Sequence, residues 1–121
     1  MKALVDTNML LAIAQFRVDV FGELRKLGYV PAVLSCVFVE AEKICLGKGK
    51  DARAAKLALD LLGKKKIELI EKEGPVDAAL LSVAKENSWA VATNDAALIR
   101  KLKASEIPII RLRQKKLLVV E

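Results

Sequence analysis

The sequence predicts an α/β protein built on a doubly wound parallel sheet with helices on both faces, and three observations carry that expectation. Short β-rich blocks alternate with longer segments of helical periodicity along the 121 residues, the rhythm of strands joined by crossover helices. Two blocks, Ala3-Leu4-Val5 and Ala90-Val91-Ala92, are apolar throughout, as strands covered on both faces must be. The composition is 54% hydrophobic but only 4% aromatic, which gives an aliphatic, alanine-rich core and excludes a disordered chain. One core suits this length, so residues 1–121 are read as a single domain.

Each element follows from local pattern. Lys2 to Asp6 forms the first strand; Thr7 to Phe16 and Asp19 to Leu27 form helices, the second closed by Gly28. Val30 to Leu34 is the second strand. Ser35 is placed to cap a helix reaching about Leu46, and Gly47-Lys48-Gly49-Lys50 is a basic loop. Asp51 is expected to cap the next helix, on which Ala54, Leu57, Ala58, Leu61 and Leu62 recur at helical spacing. Lys66 to Glu71 alternates in polarity, Glu73-Gly74-Pro75 makes a turn, and Pro75 suits the first position of a helix reaching about Asn87. Trp89 to Thr93 is a strand, Asp95 to Lys103 a helix, Ile107 to Arg111 a strand, and Lys116 to Val120 a last short strand. Alternation in the third strand and Pro108 in the fifth leave the first and fourth as the central pair. In such a sheet ligands bind beyond the carboxyl ends of the strands, where the winding reverses, so these two strands should flank the site.

Both central strands run into acidic turns, Asp6-Thr7-Asn8 and Thr93-Asn94-Asp95. Either aspartate alone is explained by helix capping, where a carboxylate accepts backbone N–H bonds. Two at the same predicted crevice suggest chemistry. Asp77 lies in the first turn of the helix after Pro75, and Glu40 lies at the border of the stripe formed by Val37, Ala41, Ile44 and Cys45, whereas Glu42 turns further toward solvent. Converging carboxylates repel one another, and a hard divalent cation relieves that repulsion. With no histidine and only two cysteines, a zinc site of the usual ligands is excluded, so any metal must be held by oxygen, as Mg2+ or Mn2+ would be.

The net charge of +6 favours an anionic partner, with nucleic acid the commonest. No apolar stretch approaches the roughly 20 residues of a membrane span, and Asp6 interrupts any secretory segment. A cytoplasmic protein without membrane association is expected. Cys36 and Cys45, on one predicted helix, are about 13 Å apart by helical rise, beyond disulfide reach, and are expected to be reduced core residues.

These motifs, taken in order, resemble those of the PIN-domain family of metal-dependent nucleases. Asp6-Thr7-Asn8-Met9-Leu10-Leu11 is similar to the family's opening motif, Glu40 to the glutamate on the helix after the second strand, Val76-Asp77-Ala78-Ala79-Leu80-Leu81 to the third motif, and Thr93-Asn94-Asp95 to the fourth. The resemblance implies Asp6, Glu40, Asp77 and Asp95 as metal-site acids, Asn8, Thr93 and Asn94 as support, strand order 3-2-1-4-5, and cleavage of single-stranded RNA. It also implies either a VapC-type toxin, with an antitoxin protein as partner, or a nuclease of ribosomal RNA processing. Gln15-Phe16-Arg17-Val18-Asp19 and the Gly47 to Lys50 loop lean toward the second branch, some members of which have an Asp where this chain has Ala78.

Arg100, one and a half turns into the helix after Asp95, and the cluster Lys48, Lys50 and Arg53 are candidate RNA contacts. Aromatics are too few for a base-stacking platform, and Trp89 is read as core. The aliphatic surplus suggests a homodimer through Leu11, Phe16, Val20 and Phe21. Two other readings compete: a PIN-like module that binds RNA or a partner without turnover, and a phosphoacceptor receiver domain. The receiver would need an aspartate where Glu71 stands and a lysine where Arg111 stands.

Overall fold

A computed structural model describes residues 1–121. The elements are β1 (Lys2–Val5), α1 (Thr7–Gln15), α2 (Val20–Lys26), β2 (Val30–Leu34), α3 (Ser35–Cys45), α4 (Lys50–Lys64), β3 (Glu68–Ile70), α5 (Val76–Asn87), β4 (Ala90–Ala92), α6 (Ala96–Ala104), β5 (Ile109–Arg113) and β6 (Leu117–Val120). They build one sheet in the order β3-β2-β1-β4-β5-β6. The first five strands are parallel, and β6 runs antiparallel to β5. The predicted order 3-2-1-4-5 is thus extended by one strand, and the wholly parallel expectation is corrected at that edge. The reason is length: the few residues between Arg113 and Leu117 allow a hairpin but no crossover.

From β1 the chain steps outward to β2 and β3, then crosses back to β4 and steps the other way. Right-handed crossovers put α1 to α4 on one face of the sheet and α5 with α6 on the other, and α4 accordingly packs on α1 and α3 while α5 meets α6. The winding reverses between β1 and β4. Their residues Ala3, Leu4, Val5, Ala90, Val91 and Ala92 are completely buried, as uninterrupted apolar strands require. Alanine has a second use on α4, where Ala54 and Ala55 pack with Leu11 of α1 and let the two helices approach closely.

Some local expectations are overturned. Ser35 is the first residue of α3 and caps nothing; its hydroxyl accepts the Lys72 N–H at 2.9 Å and donates to the Lys72 carbonyl at 3.1 Å. It ties α3 to the β3–α5 connection. Asp51 is not the cap of α4 either, because Gly49, with φ of 89°, takes the cap position two residues earlier and the helix starts at Lys50. The Asp51 carboxylate instead accepts from Gln15 Nε2 at 3.0 Å. Cys36 and Cys45 are free and share α3 but are only partly buried. Trp89 is also partly buried, with the Lys2 ammonium 4.8 Å from its ring centroid. The surface named for a dimer is largely absent: Leu11, Val20 and Phe21 are buried within the chain, and only Phe16 of the four is exposed.

Candidate active site

The register of the central strands builds the site. Val5 pairs with Ala92, and the ladder continues one step as the Asp6 N–H donates to the Ala92 carbonyl at 3.2 Å. Asp6 and Thr93 therefore leave the two strands side by side. Asp6 caps α1, its Oδ1 accepting the Met9 N–H at 2.7 Å. Its other oxygen, Oδ2, accepts the hydroxyl of the fully buried Thr93. The same hydroxyl oxygen accepts the Asp95 N–H at 3.0 Å, and Asp95 caps α6 by accepting the Leu98 N–H at 3.0 Å. One threonine thus links two helix-capping acids across the point where the winding reverses.

A capping carboxylate surrounded by donors normally has a lowered pKa. Asp6 departs from that rule. Burial pushes its carboxyl up to about 6, the hydrogen bonds from Thr93 and Met9 only partly offset the burial, and the charges of Asp95 and Asp77 raise it further. Asp77, in the first turn of α5, and Asp95 are both exposed. Asp77 and Asp95 thus each lie within electrostatic reach of Asp6, the two facing water and Asp6 enclosed.

Glu40 belongs to a groove beside β3. The residue is exposed on α3, and the groove, open and of about 910 Å³, is shared with Lys43, Glu71, Lys72 and Glu73. Val76, the residue before Asp77, also lines this groove, so it reaches the start of α5. Glu42 is exposed and does not line it. No three carboxylates stand close enough to enclose a metal ion by themselves. Glu71 and Glu73, which the sequence marks only as a strand end and a turn, follow β3 as Asp6 follows β1 and share the groove with Glu40.

Of the two polar residues expected to support the acids from β4, Thr93 touches Asp6 and the Asp95 backbone, whereas Asn94 is turned to β5. The Asn94 amide donates to the Leu112 carbonyl at 2.9 Å and accepts the Leu112 N–H at 2.8 Å. Asn8 is exposed in the first turn of α1. The Thr7 hydroxyl beside it is buried and has no hydrogen-bond partner. Arg100 is exposed on α6. Lys48, Lys50 and Arg53 are exposed where α3 gives way to α4, about 16 Å along α3 from the end where that helix leaves β2.

The donor set is wholly oxygen, one carboxylate has its ionised form penalised by burial and by negative neighbours, and two others face solvent. That combination suits a hydrated hard cation, which uses one or two carboxylates and keeps several waters, better than a closed protein cage.

The chain is similar to several known proteins. The chain is 36% identical over 121 residues to Ribonuclease VapC9 of Archaeoglobus fulgidus, covering 98% of this chain and 88% of that protein. It is 32% identical over 123 residues to Ribonuclease VapC4 of Methanocaldococcus jannaschii, covering 95% and 92%. Its fold is similar to a solved domain of a functionally unknown protein from Methanocaldococcus jannaschii, with a TM-score of 0.61 at 21% identity over 93% of this chain and 91% of that one. Residues 3–115 match the family described as PIN like domain, and the chain belongs to that family.

Proposed function

We propose that the protein is a divalent-metal-dependent endoribonuclease that hydrolyses phosphodiester bonds in single-stranded RNA. The observation that carries this reading is the Asp6–Thr93–Asp95 linkage at the winding reversal, with Asp6 held partly against ionisation by burial and by Asp95 and Asp77. Asp6, Asp77 and Asp95 would hold Mg2+ or Mn2+, with Glu40 contributing from the adjoining groove. The chemistry the bound cation supplies is a more acidic water and an offset to charge developing on the phosphate.

The chain's own part is positioning. Met9 N–H and Thr93 Oγ1 fix both oxygens of Asp6, and Leu98 N–H fixes one of Asp95, so neither carboxylate needs reordering when substrate arrives. Arg100, with Lys48, Lys50 and Arg53 at greater distance, would neutralise RNA phosphates. The two relatives named as VapC ribonucleases favour the toxin branch over ribosomal RNA processing. An antitoxin protein and a second copy of the chain are the protein partners in this reading, and the cytoplasm is its setting. No helix is long and apolar enough to cross a membrane. A receiver domain is disfavoured by Glu71 after β3, by Arg111 inside β5 and by family membership.

The test is cleavage of end-labelled single-stranded RNA by the wild type and Asp6→Asn, in chelator, in Mg2+ and in Mn2+. The reading expects metal-dependent cutting by the wild type and a loss of about a hundredfold or more in the variant. Equal cutting in chelator would overturn the metal dependence. A wild type that binds RNA but never cuts it would favour the module without turnover.

A further inference from the structure

The basic hairpin joining β5 to β6 has no role in the site described above. β4 and β5 are parallel, so its turn lies at the same end of the sheet as Asp6 and Thr93. β5 pairs with β4 up to Ile110, opposite Ala92, and continues to Arg113. Those extra residues carry the turn roughly 10 Å beyond the last paired position. The projecting segment is held at its base by Asn94, which sits between Thr93 and Asp95 and grips Leu112 by hydrogen bonds of 2.9 and 2.8 Å. At its tip the Lys115 ammonium lies 5.1 Å from the centroid of the Phe16 ring.

The turn is conformationally unusual. Gln114 and Lys115 have φ of 54° and 57°, and the Lys116 N–H closes the turn on the Arg113 carbonyl at 3.1 Å. Two consecutive left-handed residues match the twist of a hairpin, but Asn-Gly normally fills these positions. Long side chains there are strained, and such strain concentrates at ligand clamps and other functional segments. Between residues 111 and 121 the chain carries Arg111, Arg113, Lys115 and Lys116 against the single acid Glu121. Glu121 pairs with Arg111 at 3.2 Å and reaches Arg113 at 3.9 Å, yet the Arg113 side chain remains 60% exposed. Lys115 and Lys116 are exposed as well.

We propose that this hairpin tip is a phosphate clamp for single-stranded RNA, with Arg113, Lys115 and Lys116 binding backbone phosphates beside the acidic crevice and Asn94 setting the distance from clamp to acids. The inference rests on the ribonuclease reading and adds to it the element that holds the substrate. A polyanion approaching Asp6 and the exposed Asp77 and Asp95 is repelled by them, so its attraction must come from cations nearby. The hairpin supplies them on the segment directly tethered to the Thr93–Asp95 turn. A rigid mount matters because positioning aids catalysis only when the bound geometry is held.

The experiment is filter binding of labelled single-stranded RNA to the full chain in chelator, at several salt concentrations, with thermal melting run on each protein. It compares the wild type with the triple variant Arg113→Gln/Lys115→Gln/Lys116→Gln and with Lys116→Gln alone, whose side chain makes no ion pair or hydrogen bond. The clamp predicts that the triple variant binds roughly tenfold more weakly and that its salt dependence flattens by about two units of slope. Lys116→Gln should flatten it by less than about one unit, which keeps the test valid if the triple variant melts early. Wild-type affinity and slope in a folded triple variant, or in Lys116→Gln should the triple variant not fold, would overturn the clamp and leave the ribonuclease reading standing. A wild type that fails to bind RNA at any salt concentration would overturn both.

Discussion

The Thr93 hydroxyl donates to Asp6 Oδ2 and accepts the Asp95 N–H at 3.0 Å, so one buried side chain holds the carboxyl ends of β1 and β4 in fixed relation. Thr93→Val keeps the shape and removes both bonds, leaving a buried carboxylate and a backbone N–H short of partners. The expected loss is about 1–3 kcal/mol, measured by urea unfolding. The Thr93 bond lowers the Asp6 pKa, so its removal lets that pKa rise further. The deficit should therefore be larger at pH 7, where Asp6 is ionised, than at pH 5. Thr93→Ser should recover most of it.

Asp6 also sets a pH dependence. Its carboxyl titrates at about 6 in the folded chain against an ordinary 3.8, because burial outweighs its two hydrogen bonds and nearby acids add to the rise. Between those values the folded state binds more protons than the unfolded one. The contribution of Asp6 to stability is thus fully present below about pH 4 and is lost as pH rises through 6, a fall of about 3 kcal/mol. In chelator, Asp6→Asn should flatten this slope and melt above the wild type at pH 7.5. Saturating Mg2+ or Mn2+ should raise the melting temperature of the wild type more than that of the variant. A wild-type stability unchanged between pH 4 and pH 7 would contradict the buried, raised carboxyl.

Asn94 is predicted to matter through β5. Asn94→Ala leaves the Leu112 N–H and carbonyl without their side-chain partner, at a cost of about 1–3 kcal/mol. Hydrogen exchange at the Leu112 amide should accelerate more than exchange at Met9, which is bonded to Asp6. The metal concentration giving half-maximal stabilisation should be unchanged. A shift in that concentration without faster exchange at Leu112 would make Asn94 a metal-site residue instead.

The central architecture was legible because apolar strands buried on both faces leave no alternation in the sequence, so Ala3 to Val5 and Ala90 to Ala92 announced themselves and pointed to Asp6 and Thr93. What was hidden depends on tertiary partners. Ser35 looks like a cap until Lys72 arrives from a distant segment, and Asn94 looks like support for its neighbours until Leu112 claims both ends of its amide. The β5–β6 hairpin was hidden because Gln114 and Lys115 carry none of the Asn or Gly signals of a tight mirror turn. Helical spacing marked Leu11, Val20 and Phe21 as apolar but could not tell an internal face from an exposed one, and all three proved internal.

If the capping acids at the winding reversal carry out hydrolysis, Asp95→Asn should separate cutting from binding. Asparagine can still accept the Leu98 N–H, so the cap and the fold should survive while the charge is removed. A cleavage time course on single-stranded RNA in Mg2+ or Mn2+, run beside filter binding, separates the two roles. Asp95→Asn should bind RNA as tightly as the wild type or more tightly and cut it at least about a hundredfold more slowly. Cutting at the wild-type rate by a folded Asp95→Asn protein would contradict that role and leave Asp95 as a helix cap alone.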